Sequence, residues 1–268
     1  MENILSVEVN GRPAQIEEFQ ILSLFNYGHF TSTIAMNGKI RGIDLHLERL
    51  NKSSRLLFGN GIDKQRIREY IRHAMKNINE PVIVRVNVFS REIDLVNLGK
   101  TLEPDILVTI MKAQTSTLSS LRLQITEFER DIPQVKNVGS FGQIYRGRIA
   151  RMNGFDDALF LDSLGRISEG SIWNIGFFDG DRIIWPKAEI LPGIAMQLIQ
   201  AGLEKNNIKT VTCEIYPKDL LDFKSAFITN SSIGSQAVSS IDDYEFSINP
   251  RLNSILSDAY QINHLERV

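Results

Sequence analysis

The stretch from Lys136 to Ser171 decides how this chain is interpreted, and it reads KNVGSFGQIYRGRIARMNGFDDALFLDSLGRISEGS. Lys136 stands in an apolar setting and is followed by a segment long enough for a helix. A hydrophobic strand, a glycine turn and a short strand ending on Glu169 come next. Neighbouring elements therefore supply an amine and a carboxylate.

An amine and a carboxylate delivered in this way are what a pyridoxal phosphate site requires. The lysine forms a Schiff base with the cofactor aldehyde, and the acid keeps the pyridine nitrogen protonated. Taken alone, however, Lys136 and Glu169 are each typical of exposed loops and turns. The prediction of a cofactor site therefore depends on whether the rest of the chain supplies a phosphate anchor.

Composition favours a globular protein and excludes several classes of partner. The 268 residues include 30 basic and 32 acidic side chains that interleave along the chain, which predicts no binding to nucleic acid or to a membrane. Cys213 is the single cysteine, so neither an internal disulfide nor a thiolate metal cluster can form within one chain. The start of the sequence has no signal-peptide pattern, and no segment has 18 uninterrupted apolar residues. We expect a cytoplasmic protein without a bound metal.

The first half of the chain predicts two hairpins and two helices. Residues 4–10 and 14–22 alternate loosely around Asn10-Gly11, and a second hairpin is predicted around Asn37-Gly38, because Asn-Gly suits a tight turn. Asp44 and Asp63 are each placed to cap an amphipathic helix. A strand follows at 82–89, with four valines on one face and a mixed second face that carries Arg85.

A Ser/Thr-rich segment near residue 115 predicts the boundary between two domains. Strands and helices alternate irregularly, with hairpins instead of successive parallel βαβ units, so the fold class is predicted to be α+β. We expect an N-terminal α+β domain at 1–115 and a C-terminal α+β domain at 116–268 that carries Lys136. A cleft between two such domains is a natural place for a cofactor.

Three features could bind a phosphate. The segment LPGIAM at 191–196 leads from a Pro-Gly turn into a helix, whose first backbone N–H groups suit an anion. The segment TNSS at 229–232 ends a strand with hydroxyl groups, and Arg49 can pair with a phosphate through two N–H groups. Each feature is common by itself, since every helix has an N-terminus.

The motifs together resemble the ordered set found in the fold-type-IV pyridoxal phosphate enzymes. This family includes the branched-chain and D-amino-acid aminotransferases and aminodeoxychorismate lyase. The resemblance covers almost the whole chain and rests on the following segments: HLERL at 46–50, Lys136, GFDDALFLDSLGRISEGS at 154–171, Asn174, LPGIAM at 191–196 and TNSSIGSQAVSSID at 229–242.

The resemblance implies a two-domain α+β fold like that of D-amino-acid aminotransferase, with pyridoxal phosphate in the cleft between the domains and a homodimeric assembly. It makes Lys136 the Schiff-base lysine and Glu169 the partner of the pyridine nitrogen. It assigns phosphate binding to Arg49, to the backbone N–H groups of Ile194 and Ala195, to the hydroxyl of Ser231 and to the N–H of Ser232. One departure is clear, since this chain has Ser140 and Phe141 where family members often carry a tyrosine.

The reaction that the resemblance favours is transamination between an amino acid and a 2-keto acid, because it is the commoner reaction in the family. The substrate carboxylate then needs a cation, which Arg85 or Arg91 could supply, and His29 could line the substrate side. The alternative is a lyase reaction that releases pyruvate and forms 4-aminobenzoate, which the chain length and TNSS favour. A third hypothesis, a non-catalytic interaction domain, predicts a protein that stays colourless with the cofactor.

Overall fold

The computed structural model describes residues 3–113 and 119–268. These residues form two compact units, one made of 3–113, 135–139 and 264–268, the other of 119–134 and 140–263. The domain boundary predicted near residue 115 falls within 114–118 and lies outside the described residues. The first unit includes Lys136, whereas the sequence predicted that this lysine belongs to the second domain.

Helices and strands mix in both units, which confirms the α+β class. The strands are β1 (Ile4–Val9), β2 (Arg12–Pro13), β3 (His29–Met36), β4 (Lys39–Arg41), β5 (Val82–Phe89), β6 (Asp105–Lys112), β7 (Leu121–Glu127), β8 (Asp157–Leu161), β9 (Ile167–Gly170), β10 (Asn174–Phe178), β11 (Ile183–Pro186), β12 (Thr210–Cys213), β13 (Ser225–Asn230), β14 (Gly234–Ile241), β15 (Tyr244–Glu245) and β16 (Leu265–Arg267). The α-helices are α1 (Ile16–Phe25), α2 (Ile43–Phe58), α3 (Lys64–Ala74), α4 (Phe141–Met152), α5 (Ile194–Lys205) and α6 (Pro250–Gln261). None of the helices in the described parts of the chain is long and apolar enough to cross a bilayer.

The first unit is built on an antiparallel sheet with the strand order β16-β4-β3-β5-β6-β1-β2. The four valines of β5 are buried in one hydrophobic cluster with residues of α2 and α3, as their alternation predicted. The opposite face of β5 carries Arg85 and Asn87. One face of the sheet therefore forms the core, and the other face keeps polar groups.

The segment that contains Lys136 is joined to the first unit by backbone hydrogen bonds. Phe30 N donates to Lys136 O at 2.8 Å, and Val138 N donates to Gly28 O at 3.0 Å. These bonds extend the sheet beside the start of β3. They explain why 135–139 belong to the first unit, because a short extended segment adds to the sheet edge that offers it partners.

The second unit contains a sheet that closes on itself. The strands β10, β13, β14, β7, β8 and β9 pair in that order, and Glu169 on β9 pairs with Asn174 on β10 to complete the ring. Apolar side chains from most of these strands fill one cluster, including Leu123, Phe177 and Val238. Closing a sheet around a packed core fixes each strand in register, so the polar residues near its strand ends are held rigidly.

Two local predictions were wrong. Residues 16–25 form α1 instead of the second strand of a hairpin, because Glu18 accepts from Gln15 N at 2.8 Å and pairs with Arg12 at 2.5 Å. The Asn10-Gly11 turn exists, but β2 has only two residues. Asp44 does not cap α2: the helix begins after Gly42, and Asp44 bonds Arg68 at 2.6 Å. Asp63 does cap α3, and the Asn37-Gly38 hairpin forms as predicted.

Candidate active site

Lys136 lies next to an aromatic ring that also contacts an arginine. Its Nζ is 4.9 Å from the centroid of Phe30, and the guanidinium carbon of Arg85 is 3.7 Å from the same centroid. Arg85 Nε donates to Asn87 Oδ1 at 3.0 Å, which orients the guanidinium along the mixed face of β5. Arg85 is partly buried, and this burial lowers its pKa from the ordinary value. Two cations thus share one aromatic ring in the first unit.

Arg49 belongs to a short chain of hydrogen bonds that joins α2 to β3. Its Nη2 donates to Thr31 Oγ1 at 2.5 Å, and Thr31 Oγ1 lies 2.6 Å from His46 Nδ1. The threonine oxygen accepts from Arg49, and the tautomer of the imidazole decides whether Thr31 donates to Nδ1 or accepts from it. His46 and Arg49 are three residues apart on α2, so they share one helix face.

The charges around His46 show that positive charge converges here. Burial lowers the pKa of His46 well below its ordinary value, and the nearby cations Arg49 and Lys136 lower it further. Among the described residues, His46 Nε2 is a buried nitrogen with no hydrogen-bond partner. A buried neutral imidazole beside two cations makes an anion the favoured neighbour of this cluster.

His29 does not lie on the mixed face with Arg85. Its Nε2 is 2.8 Å from Ser54 Oγ, and its ring lies 5.9 Å from that of Phe58, so the side chain is packed between β3 and α2. Burial, followed by the charge of Arg49, lowers the pKa of His29 to about 3. This histidine is therefore neutral and in the core, which differs from the substrate-lining role expected from the sequence.

Arg91 is occupied by an ion pair. Its Nη2 and Nε reach the two oxygens of Asp105 at 2.8 and 3.0 Å, and Glu18 lies 3.6 Å from its Nη1. A bidentate pair of this kind holds an arginine in one orientation. Of the two arginines predicted for a substrate carboxylate, Arg85 is thus the one that lies beside Lys136.

Glu169 is buried at the end of β9 in the second unit. Its Oε1 accepts from Arg130 Nε at 2.6 Å, and both side chains are at most 6% exposed. Its Oε2 accepts from the backbone N–H of Leu191 at 3.3 Å. The carboxylate is therefore held on both oxygens in a fixed orientation, as a group that must face a ring nitrogen needs to be.

The start of α5 has the features of an anion site in the same unit. The helix begins after Gly193, no side chain caps it, and Ile194 and Ala195 are buried. Its first N–H groups have no partner within the helix. Thr229 on β13 is 1% exposed, and its Oγ1 has no hydrogen-bond partner in the described part of the chain. Donors of this kind suit a phosphate.

The two serines after β13 differ from each other. Ser231 is partly buried, whereas Ser232 is exposed and its N–H already donates to Asn230 Oδ1 at 2.9 Å. This differs from the expectation that the Ser232 N–H is offered to a phosphate. The turn after β13 uses that donor to fix its own shape.

Several residues that build the candidate site had no signal strong enough to single them out in the sequence. Arg130 follows β7 as one of several charged residues, and Thr31 is one of three hydroxyl residues in β3. His46 lies inside the HLERL motif but has no distinguishing pattern of its own. Only the fold shows that these side chains face Glu169 and Arg49.

Comparisons with known proteins identify chains of similar sequence and similar fold. The chain is 24% identical over 258 residues to a probable branched-chain-amino-acid aminotransferase of Rickettsia bellii, covering 90% of this chain and 88% of that protein. The branched-chain aminotransferase of the archaeon Thermoproteus uzoniensis, solved with norvaline, superimposes with a TM-score of 0.83 at 20% identity, over 97% of this chain and 94% of that chain.

A putative 4-amino-4-deoxychorismate lyase of Legionella pneumophila has the same fold, with a TM-score of 0.75 at 22% identity, over 88% of this chain and 91% of that chain. The sequence profile described as amino-transferase class IV matches residues 28–241. This match includes Lys136, Glu169 and the start of α5. The chain therefore belongs to the class IV aminotransferase family.

Proposed function

We propose that this protein is a pyridoxal phosphate-dependent aminotransferase that moves an amino group between a branched-chain amino acid and a 2-keto acid. The observation that carries the proposal is the cluster of Lys136, Phe30 and Arg85, which puts an amine and a carboxylate-binding cation on one aromatic ring. The names of the curated relatives support the branched-chain substrate class and favour transfer over the lyase reaction.

The donors described above fit pyridoxal phosphate. Arg49 suits an anion, and so do the first N–H groups of α5 with the Thr229 hydroxyl, which has no partner among the described residues. Glu169 supplies a buried carboxylate for a protonated ring nitrogen. Ser231 adds a hydroxyl at the end of β13, and we leave Ser232 out because its N–H is already bonded. A branched-chain amino acid aminotransferase of the same fold, solved with pyridoxamine 5'-phosphate, supports this choice of cofactor.

The chemistry divides between the cofactor and the chain. When bound, the cofactor supplies an aldehyde for the amine and a ring that accepts electrons from the substrate's α-carbon. Lys136 Nζ would hold the cofactor through its aldehyde, and once the substrate amine has displaced it, the free lysine amine would take the α-proton as a general base and return it. Arg85 binds and orients the substrate carboxylate, and Phe30 covers the amine and limits its contact with water.

The surroundings of Lys136 hold its amine in a defined place. Its Nζ and the guanidinium of Arg85 both lie against the Phe30 ring. The backbone of the lysine segment is fixed by two hydrogen bonds, Phe30 N to Lys136 O and Val138 N to Gly28 O, so only the side chain has to move between attachment and proton transfer. Positioning of this kind lowers the entropy cost of each step.

A second copy of the chain is the partner that we propose for α4. Phe141, Ile144, Tyr145 and Met152 recur at helical spacing and are 80, 64, 49 and 67% exposed, and Phe141 stacks on Tyr145. Contiguous exposed apolar surface of this kind is typical of interaction sites.

The exposed free thiol of Cys213 suits the reducing cytoplasm, where we place the protein.

The experiment that tests the proposal is an absorbance titration of the cofactor-free protein with pyridoxal phosphate. A yellow band should form with the wild type and with Lys39→Ala, a lysine on β4 away from the cluster, and it should be absent with Lys136→Ala. A wild type that stays colourless would reject the cofactor and favour a non-catalytic interaction domain. Pyruvate release from aminodeoxychorismate without amino transfer would favour the lyase.

A further inference from the structure

We propose that Asn174 is a positioning residue that holds the start of α5 in the shape required for phosphate. The proposal rests on the proposed function, because the anion in question is the phosphate of the cofactor. Asn174 is not proposed to contact the reacting atoms. Asn174 acts through the backbone of Leu191 and Gly193, which lead directly into the first N–H groups of the helix.

Asn174 and Glu169 hold the same residue from its two backbone groups. Asn174 Nδ2 donates to Leu191 O at 2.9 Å, and Leu191 N donates to Glu169 Oε2 at 3.3 Å. The three residues are 4, 4 and 5% exposed, so no solvent replaces these bonds. Asn174 and Glu169 are direct partners across β10 and β9, which fixes the distance between the two side chains. Leu191 is therefore clamped by adjacent positions of the closed sheet.

Asn174 also fills the space beside Gly193. A Cβ built on Gly193 would lie 1.9 Å from Asn174 Oδ1, far inside contact distance. The backbone of Gly193, with φ −62° and ψ 135°, is open to any residue, so the glycine is required by space alone. Asn174 thus contacts residues 191 and 193, on both sides of Pro192, whose ring restricts φ.

Holding Leu191 in place also fixes the phosphate donors, because only Pro192 separates Leu191 from the helix cap Gly193. With Leu191 clamped and Gly193 packed on the same amide, the N–H groups of Ile194 and Ala195 are directed before any ligand arrives. Asn174 pairs on its other side with Thr229, whose buried hydroxyl has no partner among the residues that the structure describes. The paired residues Glu169, Asn174 and Thr229 therefore position both the first N–H groups of α5 and the Thr229 hydroxyl. Preorganised donors bind an anion more tightly, since no ordering cost is left to offset the contacts.

The test compares ligands that differ only in the phosphate. Pyridoxal has the aldehyde that reacts with Lys136 but no phosphate. The dissociation constant of pyridoxal divided by that of pyridoxal phosphate therefore reports on the phosphate contacts. In cofactor-free full-length protein, Asn174→Ala should weaken pyridoxal phosphate binding about tenfold, the effect of about one buried hydrogen bond. Pyridoxal binding should change by less than about twofold. Calorimetry should show that Asn174→Ala loses affinity for inorganic phosphate by the same factor as for pyridoxal phosphate.

A double-mutant cycle isolates the contact with Gly193. Gly193→Ala places a methyl group against Asn174 Oδ1 and should lower the ratio in the wild-type background. In the Asn174→Ala background the clash is gone, so the same change should add little. Asn174→Ser provides a smaller polar replacement if the alanine variant fails to fold. Asn263→Ala is the matched control, because Asn263 donates at 2.8 Å to Leu198 O, farther along the same helix.

Each outcome decides between the proposals. Loss of phosphate-ester affinity in both single variants, with coupling in the double variant and no change in Asn263→Ala, supports the positioning role. Equal weakening of pyridoxal and its phosphate, paired with a lower melting temperature, shows a merely structural asparagine and overturns the inference. Additive effects of the two substitutions overturn it as well. A wild type that binds neither aldehyde rejects the proposed function, and the inference falls with it.

Discussion

At the scale of single residues, the cluster around Phe30 separates side chains that looked equivalent in the sequence. Arg85 and Arg91 are six residues apart, yet Arg85 shares the ring of Phe30 with Lys136 while Arg91 is bound to Asp105. The sequence singles out Lys136 and Arg85 because the proposed chemistry needs an amine and a cation, and their roles stay predictions. His46 and Thr31 could not, since a histidine or a threonine in an apolar pattern is usually structural.

The first prediction tests this separation. Arg85→Met keeps the length of the side chain but removes its charge, and it should raise KM for the amino donor about 10- to 100-fold, the effect of losing a charge-assisted hydrogen bond. Arg91→Met should lower the melting temperature, because it leaves Asp105 without its bidentate partner, and should leave KM unchanged. Steady-state kinetics and thermal unfolding of both variants provide the comparison. Equal KM effects in the two variants would contradict the assignment of Arg85.

The buried histidines predict how stability depends on pH. The pKa of His29 is about 3 in the folded chain and near 6.5 in the unfolded chain, so below pH 6.5 the unfolded state binds a proton that the folded state does not. The free energy of unfolding should therefore fall as the pH is lowered from 6.5, by at most about 1.4 kcal/mol per pH unit from this residue. Denaturant unfolding between pH 7 and pH 5 measures the slope. His29→Gln should reduce this slope. Equal slopes in the variant and the wild type would contradict the assignment of the pH dependence to His29.

At the scale of elements, close helix packing gives a prediction that does not depend on the cofactor. A Cβ on Gly202 of α5 would lie 1.9 Å from Ala259 O of α6. Gly202→Ala should force the two helices apart and reduce the free energy of unfolding by about 1 to 3 kcal/mol. Gly99→Ala is the control, because a Cβ there meets no atom within 4 Å. Urea unfolding that gave equal stabilities for the two variants would contradict this packing.

The elements that sequence patterns predicted correctly are those whose own residues determine them. The valines of β5, the Asn37-Gly38 turn and the Asp63 cap each act over a few neighbouring residues. The failure at α1 arose because the helix depends on the Glu18 carboxylate, which accepts from the Gln15 backbone N–H and from Arg12, and alternation does not record such contacts. The unit to which Lys136 belongs was missed for a similar reason. Two backbone hydrogen bonds to the start of β3 decide it.

At the scale of the whole molecule, the assembly proposed for α4 can be tested directly. Met152→Glu places a charge on the exposed apolar face of the helix and should shift the protein from dimer to monomer, because burying an unpaired carboxylate is costly. Light scattering after size-exclusion chromatography gives the mass. Lys76→Glu, a change of charge on the exposed end of the first unit, should leave the dimer intact. A wild-type monomer, or a Met152→Glu dimer as stable as the wild type, would contradict the proposal.

We propose that this chain transfers an amino group by way of Lys136 and a bound pyridoxal phosphate. A single-turnover experiment provides the test: protein loaded with the cofactor is mixed with leucine in the absence of any keto acid. The yellow absorbance should disappear as one equivalent of the keto acid of leucine forms per site, and adding a 2-keto acid should restore the absorbance. Persistence of the yellow band across a panel of amino donors, with no keto acid formed, would contradict the claim.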